Sequence, residues 1–215
     1  MNEISRDFVG YLNINKPEGP SSFSIVRDIT RMVCEKRVGH AGTLDPLASG
    51  VLVIAVGRAY TKNIDAIQSQ NKTYIATIRL GQSTKTDDRE GDPVSHDIDK
   101  IPTTSVINDC LKSFIGEIDQ LPPSYSAKKI DGQRAYKLAR ENQSVKLAPC
   151  KVTIYRIKLI KYKWPDLEIE VECSKGTYIR SLSRDIGEHL KTGAYLLKLI
   201  RTAVGEYKIE DSITL

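Results

Sequence analysis

The chain has 215 residues, of which 40% are hydrophobic and 27% charged, the balance of a soluble globular protein with one substantial core. Its formal net charge is +5, and no apolar run approaches the roughly 20 residues that span a bilayer. The N-terminal Met1-Asn2-Glu3-Ile4-Ser5-Arg6-Asp7 lacks the charged-then-apolar layout of a secretory signal, so a cytoplasmic location is expected.

Leu12 to Ile14 predicts a short strand leading into the turn Asn15-Lys16-Pro17-Glu18-Gly19-Pro20. A helix then runs from Ser22 towards Glu35, with Ser21 or Ser22 as N-cap and Phe23, Val26, Ile29 and Val33 at helical spacing. Val51 to Val56 reads as a buried strand, Thr61 to Gln70 as a short helix, and Lys72 to Leu80 as an alternating strand with Tyr74, Ala76, Ile78 and Leu80 inward. Gly81 to Asp97 reads as a polar loop. Thr104 to Phe114 predicts an amphipathic helix burying Val106, Cys110, Leu111 and Phe114.

Pro122-Pro123 to Gly132 is a stiff, then flexible, insertion, followed by a basic helix from Gln133 to Asn142. A hairpin is expected from Lys151–Lys163 and 167–173 around Trp164-Pro165-Asp166, its second strand alternating Leu167, Ile169, Val171 and Cys173 with glutamates. Ser174-Lys175-Gly176 turns into a helix over 177–190, with Ile179, Leu182, Ile186 and Leu190 inward. Leu196 to Val204 and Tyr207 to Ile209 return to the sheet.

Chemistry concentrates in Val38-Gly39-His40-Ala41-Gly42-Thr43-Leu44-Asp45-Pro46-Leu47-Ala48-Ser49-Gly50. Glycine permits close backbone approach, and Pro46 steers Asp45 out of the α region. The bend can therefore present one carboxylate as a nucleophile at the mouth of a core strand. An ordinary turn fits the same residues, because Asp-Pro pairs are common turn chemistry. Arg180 falls in the first turn of its helix, where a cation gains nothing from the dipole, so a carboxylate partner is expected. Such a guanidinium beside Asp45 would keep the acid ionised.

From Leu121 to Lys163 eleven Lys or Arg stand against only Asp131 and Glu141, a local charge of +9. Tyr125, Tyr136, Tyr155 and Tyr162 are interspersed. This pattern suits a polyanion with exposed bases, although a solvated basic face would look alike. Cys34, Cys110, Cys150 and Cys173 and the three histidines His40, His96 and His189 are scattered without ligand spacing, so reduced cysteines and no metal are expected.

Taken in order, several blocks resemble the TruB family of tRNA pseudouridine(55) synthases. They are Asn15 to Ser22, Gly39 to Gly50, Lys72-Thr73-Tyr74, Leu80 to Asp87, Pro122 to Lys129, Gly132 to Tyr136, Cys173 to Arg180 and Leu199-Ile200-Arg201-Thr202. The resemblance implies an α+β pseudouridine synthase fold, with a mixed, mainly antiparallel sheet flanked by helices and loops. It implies one catalytic domain over 1–215, interrupted at about 121–146 by an RNA-clamping element. A catalytic core without the small C-terminal RNA-binding (PUA-like) domain common in bacterial members is the expectation. The Asp45-Pro46-Leu47-Ala48-Ser49-Gly50 wording is closer to stand-alone bacterial members than to guide-RNA-dependent relatives.

By the same resemblance Asp45 is the nucleophile, Tyr74 contacts the target uracil, Arg180 pairs with Asp45 and Leu199 walls the pocket. His40 replaces the flipped nucleotide in the T-loop stack, while Lys16 and Pro17 support the active-site loop. Lys128, Lys129, Arg134 and Arg140 are the expected clamp. The implied reaction isomerises uridine 55 in the tRNA T loop with no cofactor, no metal and no required protein partner, by a monomer. An RNA-binding or tRNA-folding module with secondary catalysis is the alternative. A glycoside hydrolase is disfavoured, since no second carboxylate accompanies Asp45.

Overall fold

A computed structural model of the chain describes residues 4–124, 129–130, 133–134 and 147–215. It opens with β1 (Gly10–Lys16), α1 (Ser22–Met32), β2 (Val38–His40), β3 (Ala48–Val56), α2 (Arg58–Thr61), α3 (Ile64–Gln68) and β4 (Lys72–Leu80). β5 (Gln82–Ser83), β6 (Val94–Ser95), α4 (Thr104–Ser113), β7 (Gly116–Gln120), β8 (Lys129–Ile130), β9 (Gln133–Arg134) and β10 (Cys150–Lys163) follow. β11 (Asp166–Cys173), α5 (Ile179–His189), β12 (Ala194–Val204) and β13 (Tyr207–Lys208) lead to a 3-10 turn over Ile209–Asp211. The chain divides into two compact units, residues 1–75 with 199–215, and residues 76–198.

In the first unit β3 carries β1 antiparallel, from Gly10 opposite Val56 to Lys16 opposite Gly50. β2 pairs antiparallel with the far end of β3, and Leu199, Ile200 and Arg201 in the middle of β12 pair parallel with its near end, Leu199 opposite Ala48. With neighbours on both edges, β3 is continuously apolar from Val51, and Val51 to Val56 are all 0% exposed. Ala41, Val51, Val53, Ile67 and Val204 pack together, covered by Tyr11, Ile64, Tyr207 and Ile209.

Helix α1 ends at Met32, short of the expected Glu35, because Val33 turns extended at the C-cap. Ser21 is its N-cap, accepting from the Ser24 amide at 3.1 Å. The buried face is Ser22, Ile25, Val26 and Ile29, whereas Phe23 is 71% exposed, against expectation. The expected helix over 61–70 is instead two short helices, α2 and α3, one of which starts before Thr61.

The second unit is built on β7, β10 and β11, all antiparallel. α4 and α5 bury Ile107, Cys110 and Leu111, and Ile179, Leu182 and Ile186 respectively. Val106, expected inward, is half-exposed, and Ile107 takes its place. The 81–97 stretch is more ordered than a polar loop: β5 pairs with β6, and Thr84, Asp87 and Asp88 are buried.

The hairpin of β10 and β11 also reassigns part of the basic block. Register sets Arg156 opposite Glu172, Lys158 opposite Glu170, Lys161 opposite Glu168 and Lys163 opposite Asp166. Arg156 bonds Glu170 at 2.5 Å, and Lys151 reaches Glu117 on β7 at 2.5 Å. Directly opposed residues share a sheet face, so this half of the block is matched by acids of neighbouring strands. Gln133 and Arg134 are strand, not the start of a helix, and Arg134 pairs with Lys129. The rest of the expected helix, with Lys128, Arg140, Tyr125 and Tyr136, lies outside the described residues.

Candidate active site

Asp45 is half-buried at the end of the irregular stretch between β2 and β3. Every backbone carbonyl around it is held. On the N-terminal side the buried Arg201 of β12 donates through Nη2 to the Gly42 carbonyl at 3.1 Å and through Nη1 to Thr43 at 3.5 Å. Its Nε donates to the Val51 carbonyl at 2.7 Å. Next to Asp45, the Ser22 hydroxyl both accepts the Leu44 amide at 2.8 Å and donates to the Leu44 carbonyl at 2.9 Å.

On the C-terminal side the Gly19 amide donates to the Pro46 carbonyl at 2.8 Å. The fully buried Lys16 donates through Nζ to the carbonyls of Pro17 and Pro20, each at 2.8 Å, and of Pro46 at 3.4 Å. The Asp45 carbonyl itself takes the Ala48 amide at 3.0 Å. A buried cation is tolerated only where polar partners surround it, and both cations of this site are matched by backbone carbonyls, Lys16 at Pro17, Pro20 and Pro46, Arg201 at Gly42, Thr43 and Val51. Burial lowers Lys16 to about 8, against the pull of Asp45 and Glu18 in the other direction.

His40 ends β2 and is half-buried. Burial and the neighbouring Arg201 charge both push its imidazole below the ordinary value, so the ring is neutral at pH 7. Its Nδ1 has no hydrogen-bond partner among the described residues. Leu199, 6% exposed, stands opposite Ala48, three residues beyond Asp45. Tyr74 is 8% exposed on β4, and the Thr202 hydroxyl donates to the Thr73 carbonyl beside it at 3.2 Å. Asp45, His40, Tyr74 and Leu199 thus belong to one unit.

Arg180 belongs to the second unit, as the second residue of α5. It is buried, with Nη1 3.4 Å from Asp88 Oδ2 and 3.4 Å from the Thr86 carbonyl. Asp88 is thus a carboxylate partner of this helix-start arginine. That acid is oriented by the Thr86 hydroxyl at 2.7 Å and the Glu90 amide at 3.0 Å. Asp87, Asp88, Arg184 and Arg201 are functional candidates that local sequence pattern does not single out. For Arg201 there was a signal: a lone cation in the apolar run of β12 must find partners if the strand is central.

The Asp45 turn is braced at its backbone by Ser22 and Arg201, within a fold of mixed, mainly antiparallel sheet flanked by helices. A chain of a crystallised Cbf5–Nop10–Gar1 complex superposes with a TM-score of 0.73 at 32% identity, over 96% of this chain and 52% of that one. This chain thus spans about half of that structure's chain, and its fold is that of the pseudouridine synthases. The family model described as TruB family pseudouridylate synthase (N terminal domain) matches residues 30–179. tRNA pseudouridine synthase B of Clostridium kluyveri is 48% identical, over 96% of this chain and 71% of the relative. The Bacteroides fragilis protein of the same name is 46% identical, over 94% and 89%. The chain belongs to the TruB family of pseudouridylate synthases, which are isomerases.

Proposed function

We propose that this chain isomerises uridine to pseudouridine at position 55 in the T loop of tRNA, with Asp45 as nucleophile. The observation that carries the reading is the Asp45 turn, whose flanking carbonyls are held by Ser22, Arg201 and Lys16. A nucleophile fixed before the substrate arrives needs no reorganisation during reaction. The names of the relatives, tRNA pseudouridine synthase B, support tRNA as the RNA.

In this mechanism the ionised Asp45 assists rupture of the C1′–N1 bond of a flipped-out uridine. The detached uracil turns between Tyr74 and Leu199, whose apolar surfaces keep water from trapping it. C5 then bonds to C1′, C5 gives up its proton, and N1 takes one. The product is an isomer, so no redox partner or external donor enters. Arg180 is the proposed counter-charge for the Asp45 carboxylate, and the neutral ring of His40 fills the stack that the uridine leaves. Lys128, Lys129, Arg134 and Arg140 grip the backbone of the T arm.

A T-loop stem-loop incubated with the protein alone should yield pseudouridine, and Asp45→Asn should abolish turnover while RNA binding stays within about threefold of the parent. Full turnover by Asp45→Asn would remove the assignment. Among the described residues no helix is long and apolar enough to cross a membrane.

A further inference from the structure

The start of α5 is held from two directions by one side chain that the mechanism above does not use. Arg184, one turn after Arg180, donates through Nη1 to Asp87 Oδ2 at 2.8 Å and through Nη2 to the Leu121 carbonyl at 3.0 Å. Ser181 donates to the same carbonyl at 2.8 Å. The Gln120 side chain brackets Tyr178, accepting its amide at 2.8 Å and donating to its carbonyl at 3.1 Å. Asp87 in turn sits at φ +60°, a conformation that costs energy outside glycine and persists only where surroundings impose it. Its own carbonyl is fixed by the Leu196 amide at 3.0 Å. Asp87 directly precedes Asp88, the partner of Arg180.

We propose that Arg184 is a positioning residue for Arg180: by gripping Asp87 and the Leu121 carbonyl together, it sets α5 against the 86–88 turn. The Arg180 guanidinium and its aspartate then keep one geometry. The proposal rests on the reading that Arg180 serves the uridine site, but the lock itself can be observed without RNA. Arg184 also holds Asp185 at 2.8 Å and lies 3.9 Å from Glu188, so it keeps partners when Asp87 is neutral.

The lock is sensitive to pH. Asp87 is faced by Arg184, Arg180 and Asp185 from α5, by Asp88 on its own turn, and by the Leu196 amide from β12. Burial outweighs both arginines and raises its carboxyl to about 6. Between the ordinary 3.8 and about 6 the folded chain holds a proton that the unfolded chain has released, so stability falls as pH rises through this window. Neutral pH therefore keeps Asp87 charged at a cost in stability.

The test compares the full chain with Arg184→Lys, whose single ammonium lacks the planar fork by which separate guanidinium nitrogens reach Asp87 and the Leu121 carbonyl, and with Asp87→Asn. Two readouts are taken between about pH 5 and 8.5: single-turnover conversion of a T-loop stem-loop, and NMR of the free protein at the Arg180 Nε–H and the Leu121 carbonyl carbon. Both signals should move with a midpoint near 6 in the parent, and neither should follow that titration in Arg184→Lys. Each variant should lose about tenfold in single-turnover rate, since small displacements of a positioning group are costly. RNA affinity should stay within about twofold, and Asp87→Asn should melt no earlier than the parent near pH 7.5. The acid limb of the parent's rate should vanish in Asp87→Asn. Parent-like rates with unmoved NMR signals in the variants would overturn the proposal. A parent that modifies no uridine would overturn the functional reading instead, and the NMR arm would still decide the lock.

Discussion

The Ser22 hydroxyl closes two hydrogen bonds with one residue, accepting the amide of Leu44 at 2.8 Å and donating to its carbonyl at 2.9 Å. Ser22 is the first residue of α1 and is 2% exposed, so a helix start is fastened directly to the residue before Asp45. Ser22→Ala would leave both backbone groups buried and unmatched, at about 1–3 kcal/mol. The expected outcome is a loss of that size in urea unfolding, together with a fall in kcat at unchanged KM. Ser21→Ala is the control: it removes the N-cap, costs about 1 kcal/mol, and leaves kcat near the parent value.

Lys16 gives the alkaline side of the pH profile. Its ammonium titrates at about 8 in the folded chain, against an ordinary 10.5. Above about 8 it loses one of three N–H donors and the charge beside Asp45, so the rate should decline as pH rises. Stability should move the opposite way between those two values, because only the unfolded chain still holds the proton. Lys16→Met should be slow and should lack the alkaline limb in a pH–rate series.

Arg201 touches both the Asp45 turn and the electrostatics of His40. Arg201→Met strands the Gly42, Thr43 and Val51 carbonyls and should destabilise the fold by about 3 kcal/mol. Removing the charge also removes one of the two causes that depress His40. The His40 imidazole should therefore titrate higher in the variant, as read from its ring proton shifts.

Gly50 shows how closely β3 and β12 approach. A Cβ there would lie 2.2 Å from the Arg201 carbonyl, and the residue sits at φ +101°. Both steric contact and backbone conformation oppose any side chain. Gly50→Ala should lower stability by about 2 kcal/mol or more in thermal unfolding, with activity lost alongside.

Parts of the molecule were legible because a local period carried them. Tyr74 to Leu80 alternates and became β4 with the expected buried face; Val51 to Val56 is continuously apolar and became the central β3. Phe23 was misplaced because helical spacing fits more than one face, and the face chosen by packing contains Ser22 and Ile25. The Asp45 turn was visible as glycine and proline chemistry, yet its braces were not. Arg201 reaches Val51 across 150 residues and Arg184 reaches Asp87 across 97, and no local pattern encodes such pairs. Charge counting sums along the chain, whereas the sheet sets Lys158 and Lys161 opposite glutamates of the next strand.

That ladder bears on how the protein should respond to salt. Each phosphate neutralised by a free cation releases condensed counterions and steepens the dependence of affinity on salt by about 0.7 to 0.9 in logarithmic slope. Cations of β10 that already face Glu168, Glu170 and Glu172 have little counterion release to offer. The slope for RNA should therefore fall well short of the one implied by eleven basic residues between Leu121 and Lys163, and the ionic grip should come from the segment before Leu147.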